Sequence, residues 1–181
     1  MIGSESPTLR QRIEGFELDE PGVTLPFTSR LAREQGWSHV FAARVVREYK
    51  RFLCLACEAG HPVTPSEEVD QAWHLHLVYT QSYWKDLCGD VLGRELHHGP
   101  TRGGAAEGEK FVDWYGKTLE SYGRLFGEVP PTDIWPSPAQ RFGGPFAARW
   151  VDPEKFWIVP KPQWKWISFR KLFRIRPTPS P

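Results

Sequence analysis

The chain has 181 residues, 40% of them hydrophobic and 25% charged, and a formal net charge of +1. Such a length fits one domain with a real core, and such a composition excludes wholesale disorder. The opening MIGSESPTLRQRIEGF lacks the basic start and apolar run of a secretory signal, and no stretch approaches the roughly 18 apolar residues of a membrane span. A cytoplasmic location, at most peripheral to a membrane, is expected. Three cysteines in no regular framework agree with a reducing compartment and no disulfides. Nine Trp, eleven Phe and five Tyr against a single Met predict a core of large flat side chains whose indole N–H groups need acceptors.

The helical signals run in chain order from SPTLRQRIEGFEL, with Ser6 as N-cap, Pro7 at the first helical position and Leu9, Ile13 and Phe16 on one side. TSRLAREQG reads as a short helix closed by Gly36. Ser38 to Gly60 bounds a longer one, with Val45, Val46, Tyr49, Phe52, Leu53 and Ala56 as its apolar face. In TPSEEVDQAWHLHLVYTQSYWKDLCG, Thr64 and Glu67 suggest a capping box around Pro65, and Gly89 the stop. The short turn between these two helices predicts an antiparallel hairpin. After the loop DVLGRELHHGPTRGGAA, the stripe Phe111, Trp114, Tyr115, Leu119, Tyr122, Leu125 and Phe126 predicts another helix. Eleven of the seventeen prolines lie from Pro130 onward, among Trp135, Trp150, Trp157, Trp164 and Trp166, a density that forbids long helices. The expected fold is all-α: an antiparallel bundle of about four to five helices over 1–128, a Pro/Trp-rich extended arm laid on it over 129–166, and a basic aromatic tail over 167–181.

Residues on an α-helix advance about 100° each, so His74 and His76 point about 200° apart and have different jobs. Val69, Trp73, His76, Thr80, Tyr83 and Leu87 form the core-facing stripe, which buries His76. His74 falls on the wet line, one turn after Asp70, where an i,i+4 contact is easy. A buried neutral imidazole must place both ring nitrogens. One reading is a core histidine paired with a carbonyl, a hydroxyl or an indole. The other is a zinc or iron site in which His97 or His98 and a carboxylate such as Asp70 join His76. His97 and His98 read otherwise as a solvated loop pair, and His39 and His61 as structural.

The pair CLAC is weak as a metal or redox motif: Cys57 joins the inward face, Cys54 aligns with Arg47, Lys50, Arg51 and Glu58 on the wet side, and no second CxxC exists. Cys88 lies too far along the helix to share a metal with His74. No P-loop, GxGxxG, GxSxG or HExxH pattern occurs, so phosphate cradling, dinucleotide binding and the commonest hydrolase signatures are unsupported.

Asp70, Trp73, His76, Tyr83 and Cys88 resemble the pattern of the glycine-rich-domain-containing-protein-like (GRDP-like) family, an acidic residue, Trp, His, Tyr and Cys down one helix. The likeness extends less strictly from about Leu9 to the DIW at 133–135. It implies a domain of no established activity, found in plants within larger proteins that carry glycine-rich regions and in bacteria as short stand-alone chains. With no long glycine-rich tract, this chain is expected to be of the short bacterial kind, and no RNA-binding role is carried over.

Residues 161–181 hold Lys161, Lys165, Arg170, Lys171, Arg174 and Arg176 and no acid, which leaves 17 basic against 22 acidic residues elsewhere. The body is thus near −5 and its tail strongly cationic. Lys165, Trp166, Arg170, Lys171, Arg174 and Arg176 are the expected contacts to an acidic protein or an anionic membrane surface, with single-stranded nucleic acid less favoured. Two functions follow. The first is a non-enzymatic interaction domain with a binding surface of Asp70, Trp73, His74 and Tyr83. The second is a metal-dependent protein using His76 with His97 or His98 and Asp70.

Overall fold

The computed structural model describes residues 6–99 and 105–142; all lie in the first of two units into which the chain divides, 1–145 and 146–181. They form α1 (Leu9–Glu14), α2 (Phe27–Gln35), α3 (His39–Glu58), α4 (Glu67–Val78), a π-helical segment (Gln81–Leu92), α5 (Ala105–Phe126) and α6 (Pro138–Phe142), with no strand among the described residues. The fold is all-α as expected. There are more helices than four to five because the histidine helix is broken in two and a short α6 follows the body. Residues 143–181 lie outside the described residues, and with them Lys165, Trp166, Arg170, Lys171, Arg174 and Arg176. No described helix is long and apolar enough to cross a membrane.

The middle of the body is α3. Ser38 caps it by accepting from the Phe41 N–H at 3.2 Å, and it packs against α1, α2, α4 and α5. Four neighbours bury a wider arc than a one-sided amphipathic helix: Ala42, Val45, Glu48, Tyr49, Phe52, Leu53, Cys54 and Leu55. This corrects the cysteine assignment, because Cys54 is buried whereas Cys57 is only partly so. The flank that looked wet is covered by α1, whose Glu14 carbonyl accepts from Lys50 Nζ at 2.9 Å. Burial pushes the Cys54 thiol up to about 12.

Two helix starts also differ from the sequence reading. Thr8, not Ser6, caps α1 in a reciprocal box with Gln11. Ser66, not Thr64, caps α4, accepting from the Val69 N–H at 3.3 Å. Thr64 is held instead by α5: its N–H donates to Thr118 Oγ1 at 3.0 Å, and the Thr118 hydroxyl donates to the Trp114 carbonyl at 2.7 Å. Helix C-termini leave carbonyls without partners, and here cations from other elements reach them. Arg10 donates to Leu125, Arg12 to Val91, Arg94 to Ala56 and Arg124 to Ala59. Each places positive charge at the negative end of a helix dipole.

The chain after α5 returns to the core. Ile134 and Trp135 are buried, and the Trp135 indole donates to Glu48 Oε2 at 3.0 Å. Tyr122 donates to the same oxygen at 2.9 Å, and Arg51 stands 3.8 Å from the other oxygen while also donating to Tyr122 and Glu128. A carboxylate only 4% exposed is tolerable because it accepts these hydrogen bonds and has a cation beside it. Asp133 completes the join with a two-pronged ion pair to Arg44 at 2.6 and 2.8 Å, which holds its carboxyl below the usual range.

The histidine helix does not run to Gly89. At Tyr79 the backbone turns to φ −84°, ψ 65°, the geometry of an inverse γ-turn. Winding resumes as a π-helix that closes at Gly93, whose φ of 67° is left-handed and suits glycine. Tyr83, Leu87, Cys88 and Leu92 point inward, a spacing of four to five residues that fits the wider turn. Tyr83 and Leu87 are thus inside as the core stripe predicts, whereas Thr80 of the same stripe is exposed, because it stands directly after the break at Tyr79.

Candidate functional site

His76 is fully buried, as its place on the helical wheel requires. Its ring is enclosed by Phe16, Phe27, Tyr49 and Tyr83 with centroids 5.2–5.8 Å away. Nδ1 lies 3.0 Å from the Tyr49 hydroxyl and Nε2 lies 3.1 Å from Ser82 Oγ. Burial lowers its pKa to about 4, so the imidazole is neutral at pH 7. Burial also raises Tyr49 well above its ordinary value. A phenol so firmly protonated donates to Nδ1, which leaves Nε2–H to donate to Ser82 and fixes the tautomer. Ser82 reaches the ring only because of the break at Tyr79.

A second chain of contacts runs outward from this centre. The Trp73 indole donates to the Tyr83 hydroxyl at 2.9 Å, and that hydroxyl donates in turn to the Leu96 carbonyl. The Cys88 thiol, raised by burial, also contacts Leu96 and Tyr83. Trp73, Tyr83 and Cys88 are therefore spent on each other and on Leu96, and together they hold the chain that follows the π-helix against α4.

That loop delivers His98. Its Nε2 lies 2.8 Å from Asp70 Oδ1, its ring packs at 4.4 Å against Trp73, and the His74 ring stands 4.4 Å from it. His74 Nε2 lies 3.9 Å from the other oxygen of Asp70. One donor atom from each of Asp70, His74 and His98 falls within 4.8 Å of the others. Side-chain exposure is 17% for His98, 26% for Asp70 and 49% for His74, so the cluster opens to solvent.

Of the expected metal set, Asp70 and His98 are brought together, but His76 and His97 do not join them. Both nitrogens of His76 are engaged in the core, and His97 is exposed, facing Glu95 at 3.0 Å and the Trp84 ring at 5.4 Å. His74 stands in their place. Of the expected binding surface, Asp70 and His74 are accessible, whereas Trp73 and Tyr83 are buried beneath them. His39 is exposed, and His61 ties the hairpin turn to α5 through Ser121 Oγ at 2.7 Å.

Sequence reasoning passed over Glu48 and Ser82. Glu48 was findable as a carboxylate among Val45, Tyr49 and Phe52 on an apolar face. Nothing local marks Ser82, which lies six residues from its partner across a break.

The family model described as UCP032817-like matches residues 27–108, from α2 to the first turn of α5. Glycine-rich domain-containing protein 1 of Arabidopsis thaliana is 28% identical over 123 residues, 65% of this chain and 14% of that protein. Glycine-rich domain-containing protein 2 of the same plant is 27% identical over 107 residues, 56% of this chain and 14% of its own length. These matches support a likeness to the GRDP-like family. The chain spans only a small part of these plant proteins, and no solved structure matches it significantly.

Proposed function

We propose that this GRDP-like domain is a non-catalytic binding module. It displays the surface around Asp70, His74 and the 94–98 loop, and a cationic aromatic segment contacts an acidic protein or an anionic membrane surface. The observation that carries this reading is the closed state of the buried centre. A general acid or base works best with a pKa near the working pH and within reach of substrate, and a thiol nucleophile needs a depressed pKa. His76 is instead dry, neutral and engaged at both nitrogens, and all three thiols are pushed upward by burial. What is left for another molecule to meet is the surface and the charge of residues 161–181. Each Lys or Arg near an anionic bilayer contributes about 1 kcal/mol, lost as salt screens it.

The test is co-sedimentation of the full chain with vesicles of phosphatidylcholine and phosphatidylserine. Binding is expected at low salt and lost both at high salt and on deletion of residues 167–181, with the helical circular dichroism signal retained. An intact chain that ignores these vesicles at low salt removes the membrane arm, and one that also fails to bind an immobilised acidic polypeptide removes the whole reading.

A further inference from the structure

We propose that Asp70, His74 and His98 form a binding site for a divalent first-row metal ion of the zinc class. This does not depend on the binding-module reading, and it replaces His76 with His74 in the ligand set that sequence spacing suggests.

Three features carry it. The first is the donor set: two imidazoles and one carboxylate suit zinc and its neighbours, whereas magnesium and calcium prefer all-oxygen cages. The second is convergence. Both imidazoles turn Nε2 toward one carboxylate, His98 at 2.8 Å from Oδ1 and His74 at 3.9 Å from Oδ2. Bonds of about 2.0–2.1 Å in a tetrahedral arrangement separate donors by roughly 3.3 Å. With Oδ1 as the ligand atom the His98 pair opens by about half an ångström, and the other separations, all within 4.8 Å, close by at most about 1.5 Å. His74, half exposed, can turn to close them.

The third feature is support. Asp70 and His74 share one face of regular α-helix, one turn apart, so their spacing is fixed by backbone geometry. His98 arrives from a loop that is fastened at Leu96 by the Tyr83 hydroxyl and braced by the Trp73 ring. Ligands held by their surroundings lose little freedom on binding an ion. Three protein donors leave a fourth position for water or for a donor from another molecule, the arrangement of an open rather than a structural site.

The experiment uses the full chain, purified without metal affinity and stripped with a chelator. Zn²⁺ is titrated by calorimetry and Co²⁺ by visible absorption. One equivalent of each is expected, with a d–d band for cobalt. His74→Ala and His98→Ala should each weaken zinc binding by at least about tenfold, the least that removing even a supporting residue costs a metal site. His97→Ala and His39→Ala should bind as the parent does. Unchanged far-ultraviolet circular dichroism confirms that each variant folds, and Asp70→Asn provides a third arm that keeps the side-chain shape. No saturable zinc binding by the intact chain overturns the site, and so does binding that survives either His74→Ala or His98→Ala.

Discussion

Two imidazoles two residues apart on α4 meet opposite surroundings. His76 sits in a sealed aromatic box with both nitrogens engaged, while His74 stands half exposed beside Asp70 and His98. The 100° advance per residue separates them, and the environment then sets their chemistry: one imidazole is fixed neutral, and the other is available to an ion or a partner. Tyr83 joins the two regions, since it forms one wall of the His76 box and its hydroxyl fastens the loop that brings His98 to Asp70.

The contrast can be broken most forcefully from the sealed side. Trp135→Ala should cost about 3–5 kcal/mol in urea unfolding, because it empties a large core site and strips a donor from the buried Glu48 carboxylate. A loss under about 1 kcal/mol would show that the 128–135 segment does not complete the core.

Acid should attack the sealed region next. His76 is held near 4 against about 6.5 in the unfolded chain, so between these values the unfolded state binds more protons and stability rises with pH. This contribution is intact above about pH 6.5, falls by about 3 kcal/mol as pH drops to about 4, and is flat below that. In His76→Gln that component should vanish from the pH dependence of unfolding, even if the variant is less stable throughout.

Tyr83→Phe sharpens the link between the regions. Removing the shared hydroxyl should cost about 1–3 kcal/mol by leaving the Trp73 indole and the Leu96 carbonyl short of a partner. Amide exchange should speed up around Leu96 more than around His76. Equal acceleration at both places would mean that the hydroxyl supports the core generally and not the loop in particular. His74→Ala has the smallest expected effect, within about 0.5 kcal/mol of the parent in thermal unfolding, because the side chain is half exposed. A large loss there would place His74 with His76 as a structural residue.

The helical body is largely legible from the chain, because caps at Ser38, Gly36 and Gly60 and apolar stripes at 3.6-residue spacing are local signals. The depth of His76 is legible for the same reason. The break at Tyr79 is not, since a γ-turn followed by π winding leaves no mark in a periodicity that assumes one pitch, although Tyr83 and Leu87 fall inside as the stripe predicts and only Thr80 does not. The flank holding Cys54 misleads because a helix wheel shows polarity but not how many neighbours a helix has. His98 reaches Asp70 through a hydrogen bond from Tyr83 to a backbone carbonyl, and carbonyl positions are set by the fold. Helical spacing alone puts His74 beside Asp70, but only the folded loop supplies the third donor.

The burial of Glu48 under Trp135 also bears on where this domain can be cut. The family match ends at residue 108, yet a chain truncated there would abandon an acid in the interior without the phenol and the indole that donate to it, and one ending at Gly127 would still lack the indole. The smallest piece able to stand alone therefore reaches past the matched segment, from the helix that shields Cys54 to at least the DIW tripeptide, and dissection of the larger plant relatives should set its boundaries accordingly.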